Sequence, residues 1–108
     1  MKLNGGVLEL AGDVPLTYGT GAGQIQWTSA GGFSAYGGDR TVNYNGGAAV
    51  TWGTDFAMTG QALLLSSVNS DSKVTIANAI NLGGVTRTVT TNDGSAAIDA
   101  ELSGAVSN

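Results

Sequence analysis

Five Gly-Gly pairs constrain this chain more than any other feature, at Gly5-Gly6, Gly31-Gly32, Gly37-Gly38, Gly46-Gly47 and Gly83-Gly84. Between them lie short alternating runs such as Gln24-Ile25-Gln26-Trp27 and Ala49-Val50-Thr51-Trp52. Brief strand, tight corner, brief strand is the pattern by which a chain wraps a β-solenoid. Such a fold usually serves as a shaft or scaffold, with any chemistry carried on its loops.

Period-two alternation assigns the inward faces. Leu8 and Leu10 share a side, as do Ile25 and Trp27, Val42 and Tyr44, and Val50 and Trp52. Leu63 and Leu65, Val74 and Ile76, Ile80 and Leu82, and Ile98, Ala100 and Leu102 complete the set. No stretch keeps a helical period over a useful length, so the chain is expected to be all-β. Strong inward residues near Leu8, Ile25, Val42, Leu64, Val85 and Leu102 recur at uneven steps of about 17–23 residues, the length of one β-helix coil. The expected fold is therefore a single parallel β-helix (β-solenoid) with about five coils. At 108 residues the chain (1–108) is one such segment.

An internal echo supports this. Arg40-Thr41-Val42-Asn43-Tyr44-Asn45-Gly46 resembles Arg87-Thr88-Val89-Thr90-Thr91-Asn92, each copy closely preceded by a Gly-Gly pair. Arg40 and Arg87 are expected to bond corner carbonyls or cover a strand edge. Asn45 and Asn92 stand where a strand should turn, because asparagine tolerates left-handed angles. Asn45-Gly46 and Asp93-Gly94 are also hairpin-turn signals, which leaves a sandwich of hairpins as the alternative all-β fold.

Several longer stretches resemble one family. They are Thr20-Gly-Ala-Gly-Gln-Ile-Gln-Trp27, Gly31-Gly-Phe-Ser-Ala-Tyr-Gly-Gly-Asp-Arg-Thr-Val-Asn43, Val50-Thr-Trp-Gly53 and Ile80-Asn-Leu-Gly-Gly84. Arg87-Thr-Val89 and Asn92-Asp-Gly-Ser-Ala-Ala97 follow in the same order. Together they resemble the bacterial surface proteins with autotransporter-associated β-strand repeats. The resemblance implies a right-handed parallel β-helix from a long extracellular passenger that forms a stalk on the cell surface. It makes this chain (1–108) an excised block of that much longer protein. Catalytic residues are not part of the shared pattern, so none carry over. The family's common Thr-Lys-x-Gly-x-Gly element is missing here.

Composition removes several function classes. Four cations against eight acids, net charge −4, cannot make a basic track, so no nucleic-acid partner is expected. There is no cysteine and no histidine, so thiolate metal sites and the usual base for a serine nucleophile are missing. The longest apolar run, Ala62 to Leu65, is far short of the ~20 residues that span a bilayer. No membrane span and no cofactor are expected.

The remaining chemical candidates are weak. Ser70-Asp71-Ser72-Lys73 could hold a Ser-Lys pair but reads better as a polar turn. Asp99 and Glu101 share one strand face at roughly the spacing of glycosidase carboxylates, but a solvated outer face opposite Ile98, Ala100 and Leu102 explains them better. Asp13 and Asp93 could lend oxygen to calcium, but the Gly-Gly-x-Gly-x-Asp repeat of calcium-filled rolls is absent. Phe33 and Tyr36, in the glycine-rich stretch from Gly31 to Gly38, are the candidate exposed contacts for glycan or a cell-surface ligand. A regular lattice of Thr41, Thr51, Thr75 and Thr88 would suit ice, but their spacing is uneven.

The reading is a non-enzymatic scaffold segment of a bacterial cell-surface or secreted protein. Its uncapped solenoid ends are expected to self-associate, end to end, into filaments. The alternative is an adhesin module that binds glycan or host surface through exposed aromatic loops.

Overall fold

The structure, a computed structural model, describes residues 1–13 and 15–108. Thirteen strands occur among them: β1 (Lys2–Leu3), β2 (Val7–Leu10), β3 (Pro15–Tyr18), β4 (Gln24–Trp27), β5 (Gly31–Ala35), β6 (Arg40–Tyr44) and β7 (Val50–Thr51). Then follow β8 (Leu63–Leu65), β9 (Val74–Ile76), β10 (Ile80–Asn81), β11 (Val89–Thr91), β12 (Ala100–Leu102) and β13 (Val106–Ser107). The one helical element among the described residues is a 3-10 turn, Asn45–Gly47. None of these residues forms a helix long and apolar enough to cross a membrane.

Alternation placed the inner faces well through the first three-quarters of the chain. In β4, Ile25 and Trp27 are buried between half-exposed Gln24 and Gln26, and β8 and β9 bury their first and third residues. Each such strand is amphipathic with period two, so one face joins the core while the other meets water.

The expected single β-helix of about five coils is overturned. The strands fall into three separate parallel sheets with a half-barrel curl. Their orders are β1-β4-β3-β6-β9-β12, β11-β8-β5-β2 and β13-β10-β7. The repeat length is not constant, as a regular column would require. Val7 pairs with Gly32 and Gly31 with Leu63, whereas Thr17 pairs with Gln24, only a few residues on. The molecule measures 33 × 31 × 24 Å, with no elongated axis. Steps of 17–23 residues misjudged the register because loops such as Trp52 to Ala62 add length without adding a strand.

The hairpin sandwich is excluded as well, since every pairing between named strands is parallel. Parallel neighbours need a long return of the chain rather than a two-residue turn. At Asn45-Gly46 the chain makes a 3-10 corner, not a hairpin. Asn45 takes φ 46° there and its carbonyl accepts from the Ala48 N–H.

The core is one cluster, centred on aromatic rings. Phe56 packs edge-on against Trp27, Tyr44 and Trp52, with centroids 5.5, 5.8 and 6.2 Å apart. Phe33 closes the group against Trp27 at 5.9 Å and Tyr44 at 6.3 Å. These T-shaped geometries match the ring quadrupoles and add to the apolar burial. The core also fixes one glycine absolutely. A Cβ at Gly32 would lie 1.6 Å from the Leu64 carbonyl oxygen, so the glycine is what lets the two backbones meet.

Burial stops abruptly after Ile80, and no residue from 81 to 108 is buried. Val85 and Ile98, expected to point inward, are 52% and 60% exposed.

Candidate functional site

The side chains that could do chemistry are mostly engaged in holding backbone. Asp13 Oδ1 accepts the Thr41 N–H at 2.8 Å, and Asp39 Oδ1 accepts the Lys73 N–H at 2.9 Å. Asp13 and Asp39 stand just ahead of β3 and β6, and each bonds an amide in, or immediately before, the next strand that pairs with that one, β6 and β9. Asp71 accepts from the Gly37 N–H at 2.8 Å, Asp99 from Gly94 at 2.8 Å, and Asp55 from Thr51. Glu101 pairs with Lys73 Nζ at 2.7 Å. Six of the eight acids in the sequence are therefore committed to named partners. A carboxylate bonded to an amide is a charge-assisted clip that ties two stretches of backbone together.

A charged hollow on the surface is lined by Asp39, Asp71, Ser72 and Lys73 beside Ala96, Ala97 and Ile98, about 340 Å³ in volume. It looks like a site until its bonds are traced. The Ser72 hydroxyl donates to Asp71 at 2.7 Å, which with the Gly37 amide holds that carboxyl below the usual range. Lys73 is held above its ordinary value by the hydrogen bond and charge of Glu101. Ser70 Oγ donates to the Ala35 carbonyl rather than to any lysine. The Ser-Lys pair does not form, and Asp99 and Glu101 have different partners. No group of three or more metal-ligating side chains occurs among the described residues.

The second polar construction is buried. Asn78, 2% exposed, receives the Tyr44 N–H at 2.7 Å and donates to the Tyr44 and Ala48 carbonyls at 2.8 and 2.7 Å. It replaces missing ladder bonds at the corner after β6 and satisfies groups that would otherwise be buried unpaired. Trp27 Nε1 donates to Tyr44 Oη at 3.2 Å. Burial pushes the Tyr44 phenol up to about 12, against the smaller opposing effect of that bond.

The two arginines do what their place beside a Gly-Gly pair suggests. Arg40 Nη2 donates to the Tyr36 carbonyl at 3.0 Å, just before Gly37-Gly38. Arg87 Nε donates to the Leu82 carbonyl at 2.8 Å, just before Gly83-Gly84, and its guanidinium lies 5.8 Å from the centre of the Trp52 ring. The local device recurs, but the copies are not structurally equivalent. Arg40–Tyr44 is a strand of the six-stranded sheet, while Val89–Thr91 belongs to the four-stranded one. Asn92 does not mirror Asn45 either. It keeps a negative φ and donates to the Ser66 carbonyl at 3.3 Å.

The expected aromatic contact pair is divided. Phe33 is fully buried in the ring cluster, because its strand is covered on both faces. Tyr36, one residue past that strand, is 51% exposed. Thr41 and Thr75 do pair, but the next residue in their row is Glu101, so the threonine ladder ends there.

Sequence reasoning missed Asn78, Asp39 and the role of Phe56. Asp39 had a visible signal, following Gly37-Gly38 directly. Asn78 had none, since one asparagine in Ala77-Asn78-Ala79 reads as an ordinary turn.

No family model matches the chain, and no characterised protein or solved structure matches it either.

Proposed function

We propose that the chain is a structural scaffold segment of a bacterial cell-surface or secreted protein, and that it carries no catalytic activity. The observation that carries this reading is the engagement of its polar side chains, six acids and both corner arginines, in bonds to backbone or to one lysine. A catalytic or ligand-binding site keeps some convergent polar groups free for its substrate. Here the same groups tie successive returns of the chain together, which stiffens a body made of short strands. The extracellular placement rests on the resemblance to autotransporter-associated repeats and on a surface rich in Thr, Ser, Asn and Gly.

Pulling a single molecule by its two termini tests this. A load-bearing segment should resist extension to forces above those that unfold a helical bundle of equal length in the same instrument, and give way in one event. Extension at lower force, in several small steps, would contradict it. The glycan-binding alternative retains only Tyr36, and a glycan array probed with wild type and Tyr36→Ala separates the two readings. Saturable binding lost in the variant would favour the adhesin.

A further inference from the structure

The sequence holds two Asn-Gly steps and one Asp-Gly step: Asn4-Gly5, Asn45-Gly46 and Asp93-Gly94. In each, the glycine amide nitrogen can attack the preceding side-chain carbonyl carbon and close a cyclic imide, because glycine has no side chain in the way. A Cβ at Gly5 or at Gly46 would meet nothing within 4 Å, so the two asparagine steps are equally open.

What separates the steps is the nucleophile. The Gly5 N–H donates to the Ala30 carbonyl at 2.6 Å, and the Gly94 N–H donates to Asp99 Oδ1 at 2.8 Å. Attack by either nitrogen must first break that bond. The Gly46 N–H has no acceptor among the described residues, and Gly46 is exposed on the 3-10 corner. The electrophile is prepared as well. The Tyr18 N–H donates to Asn45 Oδ1 at 3.4 Å, the atom that gains negative charge as the nitrogen attacks. A donor already aimed at that oxygen stabilises the charge as it develops.

We propose that Asn45 is a site of spontaneous covalent modification, the first on the folded chain to become isoaspartate. The Gly46 nitrogen gives its proton to solvent and bonds to Asn45 Cγ. The Cγ–Nδ2 bond breaks, and the nitrogen takes a proton from solvent and leaves as ammonia. Water then opens the imide at either carbonyl, giving aspartate or isoaspartate. Either product adds one negative charge, taking the formal net charge from −4 to −5. Isoaspartate also inserts a carbon into the main chain between Tyr44 and Ala48, whose carbonyls the Asn78 amide binds.

Ageing the folded protein in warm, mildly alkaline buffer tests this, with tryptic peptides resolved by chromatography and mass spectrometry. Cleavage after Lys2, Arg40, Lys73 and Arg87 puts the three steps in three peptides, 3–40, 41–73 and 88–108. Asn45 should convert about tenfold faster than Asn4, the factor one hydrogen bond supplies. In denaturant, where both amides are free, the two rates should converge. Asn45→Gly, which keeps the left-handed φ of 46°, should abolish conversion in 41–73. Asp99→Ala, which releases the Gly94 amide, should raise isoaspartate at Asp93 and leave Asn45 unchanged. Equal rates at Asn4 and Asn45 in the folded protein, or a faster Asn4, would overturn the proposal. So would conversion in 41–73 that survives Asn45→Gly, or a lead of Asn45 that persists undiminished in denaturant.

Discussion

Residues 1–80 and residues 81–108 are built from the same kind of sequence and reach opposite states of burial. The first region holds every buried residue described, from Leu3 to Ile80. The second has three strands in good register and buries nothing. Val89 pairs with Leu63 as fully as Leu63 pairs with Gly31, yet only Leu63 is enclosed. Ladder hydrogen bonds fix a strand in place without removing its side chains from water. Burial needs a neighbour on the other side as well, and the last strands have none.

Equal substitutions in the two regions should therefore have unequal costs. Gly32→Ala has the largest expected effect, since its methyl would occupy the space of the Leu64 carbonyl. Loss of the cooperative thermal transition is expected, and a folded variant would show that the close approach is not real. Phe56→Ala removes the ring that three others touch and should cost about 3–5 kcal/mol in denaturant unfolding. Leu65→Ala should cost about 2–5 kcal/mol, whereas Leu102→Ala, already half in water, should cost less than about 1 kcal/mol. Equal losses at Leu65 and Leu102 would erase the contrast.

Asn78→Ala should come next, at about 3 kcal/mol, because it strands a buried N–H and two carbonyls. Its counterpart in the open region, Asn92→Ala, breaks one partly exposed bond and should cost under about 1 kcal/mol.

Alkaline titration sharpens the comparison from another side. The Tyr44 phenol has its folded value raised from 10.0 to about 12 by burial. Its contribution to stability is complete below pH 10 and is lost as the pH rises through about 12. Tryptophan fluorescence should report unfolding in that window, and Tyr44→Phe should lessen the pH dependence there. The smallest effect is expected at the Lys73–Glu101 pair, which is solvent-screened. Glu101→Gln should leave the midpoint of thermal unfolding unchanged at neutral pH.

Much of this was legible in the residues. Period two marked the strands and put Ile25, Trp27, Val42, Tyr44, Val50 and Trp52 inside. Four of the five Gly-Gly pairs marked turns or corners, whereas Gly31-Gly32 opens strand β5. The arginines beside two of them were expected to bond carbonyls, as they do. Three things were not legible. Phe33 looked exposed because glycines flank it, but those glycines admit close backbone contact and so bury it. The echo between Arg40 and Arg87 suggested stacked copies, yet a local turn device can recur on different sheets. Val85, Ile98 and Leu102 have the spacing of core residues, and spacing reports which way a side chain points, not whether anything lies beyond it.

Amide hydrogen exchange in dilute solution tests most directly the central claim of a packed body on which residues 81–108 lie unburied. Amides of β8 and β9 should be protected at every concentration. Those of β11, β12 and β13, each at a sheet edge, should exchange much faster. Dilute protein in which β11–β13 are as slow to exchange as β8 and β9 would contradict the account.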